Sequence, residues 1–253
     1  MKGVVRYIPN FLTCLSLSFG FYAAIAGLSG HYFVAMTAIL IAAVFDFSDG
    51  LAARLLKAYS AMGKELDSLA DVVSFGVAPG MMLYSFMDTL LVRLSWNDLF
   101  GCKIFLLVAF IIPVFSGLRL AKFNIDERQK TSFLGLPVPA HAILWSSLIT
   151  VLACDVYTSV CIFPQLAGWM AAIPPIMMLI GLSVTVTVTS LLLVSEIPMF
   201  SLKITSLSWK VNRLPVLLVV SAVLFLLLFG IAGIAAVILF YILLGRISKT
   251  EPA

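Results

Sequence analysis

Charge is scarce in this chain. Asp, Glu, Lys and Arg make up 11% of its 253 residues, whereas hydrophobic residues make up 62% and the mean hydropathy is +1.13. A soluble domain carries roughly 25% charged residues, so a water-exposed globule is excluded and an integral membrane protein is expected. Histidine is nearly absent: His31 and His141 are the two. They lie far from any Ser/Asp or Cys pairing that would serve nucleophilic catalysis, so a covalent enzyme intermediate has no obvious carrier. The four cysteines form no C-x-x-C or Cys/His cluster, which removes zinc and redox-pair readings. Cys14, Cys102 and Cys154 fall in or near apolar stretches and Cys161 in a short outer loop, where a Cys154–Cys161 bridge stays open. Low-complexity tracts and clear internal repeats are also missing.

What is present is a series of apolar stretches near the ~20 residues that cross a bilayer. Eight are expected: Ile8 to Leu28, Tyr32 to Asp49, Leu66 to Met87, Ile104 to Leu120, Leu136 to Ala153, Leu166 to Val194, Leu214 to Phe229 and Ile231 to Leu244. The fold class is therefore an all-α integral membrane protein, one transmembrane domain over residues 1–253. The first stretch is long, aromatic and followed at once by another, so it reads as a helix rather than a cleaved leader. Pro174-Pro175 is expected to bend the sixth span. The alternation Val184 to Thr189 mimics a strand, but a lone strand would leave backbone groups unpaired in lipid, so helix is expected. Gly76-x-x-x-Gly80, with Pro79, points to close helix packing or a bend in the third span.

Lys and Arg collect on the cytoplasmic side of membrane proteins. With the amino terminus inside, only Arg93 and Lys103 of the 16 basic residues fall outside. The net charge of +4 is thus explained by topology and by attraction to anionic membrane lipids, with no nucleic-acid partner required.

Against this background four carboxylates stand close together. Asp46, Asp49, Gly50, Ala53 and Arg54 share one face of a helix, and Gly63, Asp67 and Asp71 repeat at four to form a second stripe. A turn near Leu56 to Ser60 would fold the stripes onto a common cavity. Anions at membrane depth are costly unless paired, hydrated or metal-bound. Oxygen donors without His or Cys suit hard cations, Mg2+ or Mn2+, and four negative charges balance two of them. From Tyr32 the helix has risen roughly 21 Å of the ~30 Å hydrocarbon at Asp46, which places the cluster just below the cytoplasmic interface. Gly50, Ala53 and Gly63 lack bulk that would block a ligand, and Arg54 offers a fork of donors to phosphate.

The pattern D-x-x-D-G-x-x-A-R-x8-G-x-x-x-D-x-x-x-D, met at every position from Asp46 to Asp71, resembles the CDP-alcohol phosphotransferases. That resemblance implies a six-helix membrane core, here about residues 1–196, with residues 197–253 adding two helices. It implies that Asp46, Asp49 and Asp67 bind two metal ions and that Asp71 shares in binding them and acts as general base. Gly50, Ala53, Arg54 and Gly63 would border the CDP moiety, and the protein would be a homodimer, with Gly76-x-x-x-Gly80 as a place for the dimer surface. Asn10 and Thr13 are further candidates beside the nucleotide, with helix-start hydrogen bonding as the alternative.

Five flanking segments narrow the likeness to the phosphatidylserine synthase branch: Ile8 to Thr13, Asp67 to Gly80, Arg119 to Asn124, Gly135 to Ala140 and Ile197 to Lys203. The branch implies transfer of a phosphatidyl group from CDP-diacylglycerol to L-serine at the cytoplasmic face of the cell membrane. Serine's carboxylate calls for a cation; Arg119 and Lys122 are candidates for it or for donor phosphates, against the plain alternative of topological cations. Lys122 stands where the branch is expected to carry Arg, and lysine lacks bidentate geometry. Glycerol 3-phosphate or inositol as acceptor is the sibling reading. A cation transporter is a remote one, since transport predicts carboxylates spread along a path.

Overall fold

The computed structural model describes residues 7–96, 102–125, 133–153, 173–196, 198–199 and 209–247. Cys154 and Cys161, and the expected sixth span from Leu166 to residue 172, lie outside the described residues. Helix α1 (Ile8–Leu28) and helix α2 (Tyr32–Leu55) form an antiparallel hairpin, the most extensive helix pair in the molecule. Its seam is lined by small residues: Ala23, Ala24, Ala35, Ala38 and Ala42 are all buried. Lipid supplies no hydrophobic drive between helices, so close backbone approach through such residues is what packs them. Phe21, Phe33, Val44 and Phe47 point outward instead.

Gly30, at φ 77°, closes α1: His31 N–H reaches back to Ala26 O at 2.9 Å and Gly30 N–H to Gly27 O at 3.1 Å. Glycine suits that left-handed position because it has no Cβ to clash. The same cap ends α2, with Ala58 N–H on Ala53 O at 3.0 Å, but there Lys57 holds the left-handed position at φ 50°.

Helix α3 (Ala61–Asp71) starts at Ser60, whose hydroxyl accepts the Gly63 N–H at 2.9 Å. It continues through a π-helical turn at Val72–Val77 into α4 (Ala78–Arg93), so residues 61–93 form one span. A π turn lets in an extra residue and rephases the helix, a device common at functional sites. Here it begins at the residue after Asp71. Next come a 3₁₀ segment (Cys102–Phe110), α5 (Ile111–Ile125), α6 (Val138–Leu152), α7 (Pro175–Val194), α8 (Trp209–Phe229) and α9 (Ile231–Ile247). Phe133–Leu134 pairs antiparallel with Pro198–Met199.

Five helices are long and apolar enough to cross a membrane, and Val138–Leu152, Val216–Phe229 and Ile231–Gly245 are shorter apolar helices. Eight apolar helices among the described residues thus roughly match the eight expected spans, and the protein is a multi-pass membrane protein. Val184 to Thr189 is helical, as expected. The prolines differ from expectation: Pro174 is extended, at φ −57° and ψ 136°, and Pro175 opens α7. A proline lacks the N–H that a first helical turn leaves unused, so the pair starts a helix rather than bending one. A Cβ on Gly76 would come within 3.2 Å of Ser116 Cβ, and one on Gly80 within 3.1 Å of Pro113 Cδ. That glycine face is filled by the 3₁₀ segment and α5 of the same chain, so it is not open to a second copy.

Candidate functional site

The α2 and α3 stripes do meet. Asp46, Asp49 and Asp67 each offer a carboxylate oxygen, all within 4.8 Å of one another. Asp71 stands outside that trio but beside it, interacting electrostatically with Asp46, Asp67 and Asp49. Asp71 Oδ1 is buried with no hydrogen-bond partner. A buried carboxylate oxygen left unpaired costs more than a hydrogen bond gains, so the cluster is built for something that binds it. Its donors, hard oxygens converging from two helices, fit a divalent cation of the Mg2+ or Mn2+ type.

Thr13 is 3% exposed and its hydroxyl donates to Asp49 Oδ2 at 2.5 Å. The Pro9 carbonyl lies 3.1 Å from the same oxygen, but one hydroxyl hydrogen serves one acceptor well, and the carboxylate is the stronger. Thr13 therefore orients Asp49, a role beyond that of the nucleotide neighbour expected from sequence. Ser16, one turn on, hydrogen bonds Ala42 O at 3.0 Å, and Ser74 in the π turn bonds Ser16 O at 3.1 Å. These bonds tie α1, α2 and the π turn together directly behind the acids.

Beside the trio opens a cleft of about 200 Å³ between α1, α2 and the start of α3. Of the expected residues, Asn10, Thr13, Asp49, Gly50, Ala53, Gly63 and Asp67 line it. A Cβ on Gly50 would meet no protein atom within 4 Å, so the bare position there is space for a ligand and not for packing. Arg54 is brought elsewhere: it is exposed at the last turn of α2 and is not part of the lining.

The cation in the cleft wall is Lys64, its ammonium donating to Asn124 O at 3.5 Å, with Tyr59 and Ser60 beside it. Sequence reasoning counted Lys64 only as a topological charge and passed over the other two. The available signal was Ser60 three residues before Gly63, an N-cap pattern that aims the start of α3 at the cleft, where a helix N-terminus favours anions.

The two basic candidates on α5 part company. Arg119 is 8% exposed, lies 5.8 Å from the Phe123 ring and interacts electrostatically with Asp71. Lys122 is drawn away, to Val194 O at 3.3 Å and Glu196 at 3.8 Å. His141 is fully buried and packed, accepting the Trp145 indole N–H on Nε2 at 3.1 Å beside Thr189, which marks it as structural.

Comparison with known proteins agrees with this geometry. Residues 6–174 match the model of the CDP-alcohol phosphatidyltransferase family. A CDP-diacylglycerol–serine O-phosphatidyltransferase of Bacillus subtilis is 38% identical over 135 residues, 53% of this chain and 71% of that protein. One from Mycobacterium leprae is 34% identical over 202 residues, 77% of this chain and 58% of that protein. An archaetidylserine synthase of Methanothermobacter thermautotrophicus is 33% identical over 150 residues, 58% of this chain and 60% of that protein. Two of these three relatives are thus spanned over less than two thirds of their length. The family match takes in both acidic helices and the cleft, and the chain belongs to the CDP-alcohol phosphatidyltransferase family.

Proposed function

We propose that the protein transfers a phosphatidyl group from CDP-diacylglycerol to the hydroxyl of L-serine, giving phosphatidylserine and CMP. The observation that carries the reaction is the Asp46, Asp49, Asp67 trio opening on a cleft with a cation in its wall. The relatives named for serine transfer support the acceptor. The CDP end enters the cleft, where Gly50 and Ala53 leave room for it, Gly63 lets the Asn10 and Ser60 side chains close in as polar contacts, and Lys64 supplies positive charge to the wall. Arg54, exposed in the last turn of α2 next to Ala53, is the outer cation offered to phosphate.

Asp46, Asp49 and Asp67, with Asp71 adjoining, would hold two divalent cations, Mg2+ or Mn2+. When bound, such ions neutralise pyrophosphate charge and stabilise departing CMP. Thr13 keeps Asp49 in its ligating rotamer. Asp71 takes the proton of the serine hydroxyl as that oxygen bonds to the lipid-bearing phosphorus and the bond from phosphorus to the CMP oxygen breaks. With His141 locked against Trp145 and Thr189, no base and nucleophile pair is set for a phosphatidyl-enzyme among the described residues, which favours transfer by a single displacement.

Sidedness follows the basic residues. The site faces the cytoplasm from the cell membrane, with residues 1–196 as the catalytic core.

Purified protein given CDP-diacylglycerol, Mg2+ or Mn2+, and serine, inositol and glycerol 3-phosphate in competition should release CMP with serine. CMP release that requires another alcohol and ignores serine would replace this reading with the sibling one.

A further inference from the structure

Among the described residues five buried polar atoms lack a hydrogen-bond partner: Asp71 Oδ1, Ser116 Oγ, Arg119 Nε, His141 Nδ1 and Ser190 Oγ. Native interiors leave few such atoms, and each calls for an occupant or a reason. Their positions along the helices are related. Ser116 lies against Gly76, one π turn beyond Asp71 on the same helix. Arg119 follows Ser116 by three residues on α5, so the two share a face, and Arg119 interacts electrostatically with Asp71.

Helix α7 runs beside α5, with Lys122 reaching Val194 O, so Ser190 stands about one turn inward from that contact, level with Arg119. His141 meets Thr189, the neighbour of Ser190, from α6. The unpaired atoms therefore form one belt about two helical turns deep, between the π turn, α5, α6 and α7. None of these five residues lines the nucleotide cleft.

Resting on the serine-transfer reading, we infer that this belt is the acceptor pocket, reached from the opposite side of Asp71 to the nucleotide. In it Arg119 binds the carboxylate of an amino-acid alcohol, and the Ser116 and Ser190 hydroxyls receive its ammonium group. Three polar groups on serine meet three kinds of unpaired atom. The hydroxyl faces Asp71 Oδ1, the carboxylate faces the guanidinium, and the ammonium faces hydroxyl oxygens that can accept.

The charge balance also selects against the siblings. Among the described residues Arg119 is the one buried cation, because Lys122 is engaged with Glu196 and Val194 O. One cation matches a single carboxylate, undercompensates a phosphate dianion and has no partner on an uncharged polyol. Ethanolamine, which lacks the carboxylate, would leave Arg119 with Asp71 as its electrostatic partner and no ligand anion to meet.

The test is steady-state kinetics in detergent for the full chain and for Arg119→Gln, Arg119→Lys, Ser116→Ala and Ser190→Ala. KM is measured separately for serine and for CDP-diacylglycerol, with ethanolamine as a competing acceptor. A lost charge-assisted hydrogen bond is expected to raise the serine KM by about tenfold or more in Arg119→Gln. The CDP-diacylglycerol KM should move little, Arg119→Lys should recover part of the loss, and the preference for serine over ethanolamine should fall. The two serine variants should raise the serine KM by several fold, and they serve if Arg119→Gln does not fold.

Equal shifts in both KM values, or an unchanged serine KM in all the variants, would overturn the pocket and leave the belt a packing feature. Wild-type protein that turns over another alcohol and not serine would instead overturn the function on which the pocket rests.

Discussion

At the scale of single residues, the site depends on side chains that hold other side chains. Asp49 presents an oxygen to the trio while its Oδ2 accepts the hydroxyl of Thr13, which is buried on a neighbouring helix. Thr13→Val keeps the shape and removes the donor. Loss of such an outer partner typically costs about 10- to 100-fold in metal affinity, so Mn2+ titration of the purified variant should show a weakening of that order, with Thr13→Ser near wild type. Equal Mn2+ affinity in Thr13→Val and wild type would show that the bond does no orienting. The acids themselves were legible in sequence, because a four-residue spacing puts side chains on one helix face whatever the surroundings. Their partners were not. Whether Thr13 meets a nucleotide or a carboxylate, and whether Arg54 or Lys64 reaches the cleft, depends on how three helices rotate against one another, which spacing within one helix does not record.

At the scale of elements, apolar length located the spans while local backbone chemistry decided their ends. Pro174-Pro175 begins α7 instead of bending a longer helix, and the π turn after Asp71 has no signature in the apolar pattern. Glycines separate into two roles that the sequence writes identically. A Cβ on Gly20 would lie 2.5 Å from Ser74 Cα, a backbone atom that cannot step aside, whereas one on Gly50 meets nothing within 4 Å. Gly20→Ala should therefore lower thermal stability, by about 1–3 kcal/mol as overpacking does. Gly50→Ala should keep or raise stability, since alanine is the better helix former by roughly 1 kcal/mol, while raising the KM for CDP-diacylglycerol. Thermal unfolding in detergent alongside donor kinetics reads both. A destabilised Gly50→Ala with unaltered donor KM would reverse the assignment.

For the whole molecule, the described residues form eight apolar helices and one polar region in which four acids, a buried arginine and a lysine-walled cleft come from α1, α2, α3 and α5. Composition announced the membrane and the motif announced the reaction class. The proposed acceptor pocket is the least legible element, because the residues it joins, Asp71, Ser116, Arg119 and Ser190, stand on helices distant in sequence. The decisive measurement follows serine carrying 18O in its hydroxyl through the purified protein with CDP-diacylglycerol and Mn2+, with lipid products and CMP read by mass spectrometry. The expected result is one phosphatidylserine per CMP, the label retained in the bridging oxygen, and no product from Asp67→Asn. CMP accompanied by phosphatidic acid or a different head group, or phosphatidylserine formed at full rate by Asp67→Asn, would contradict it.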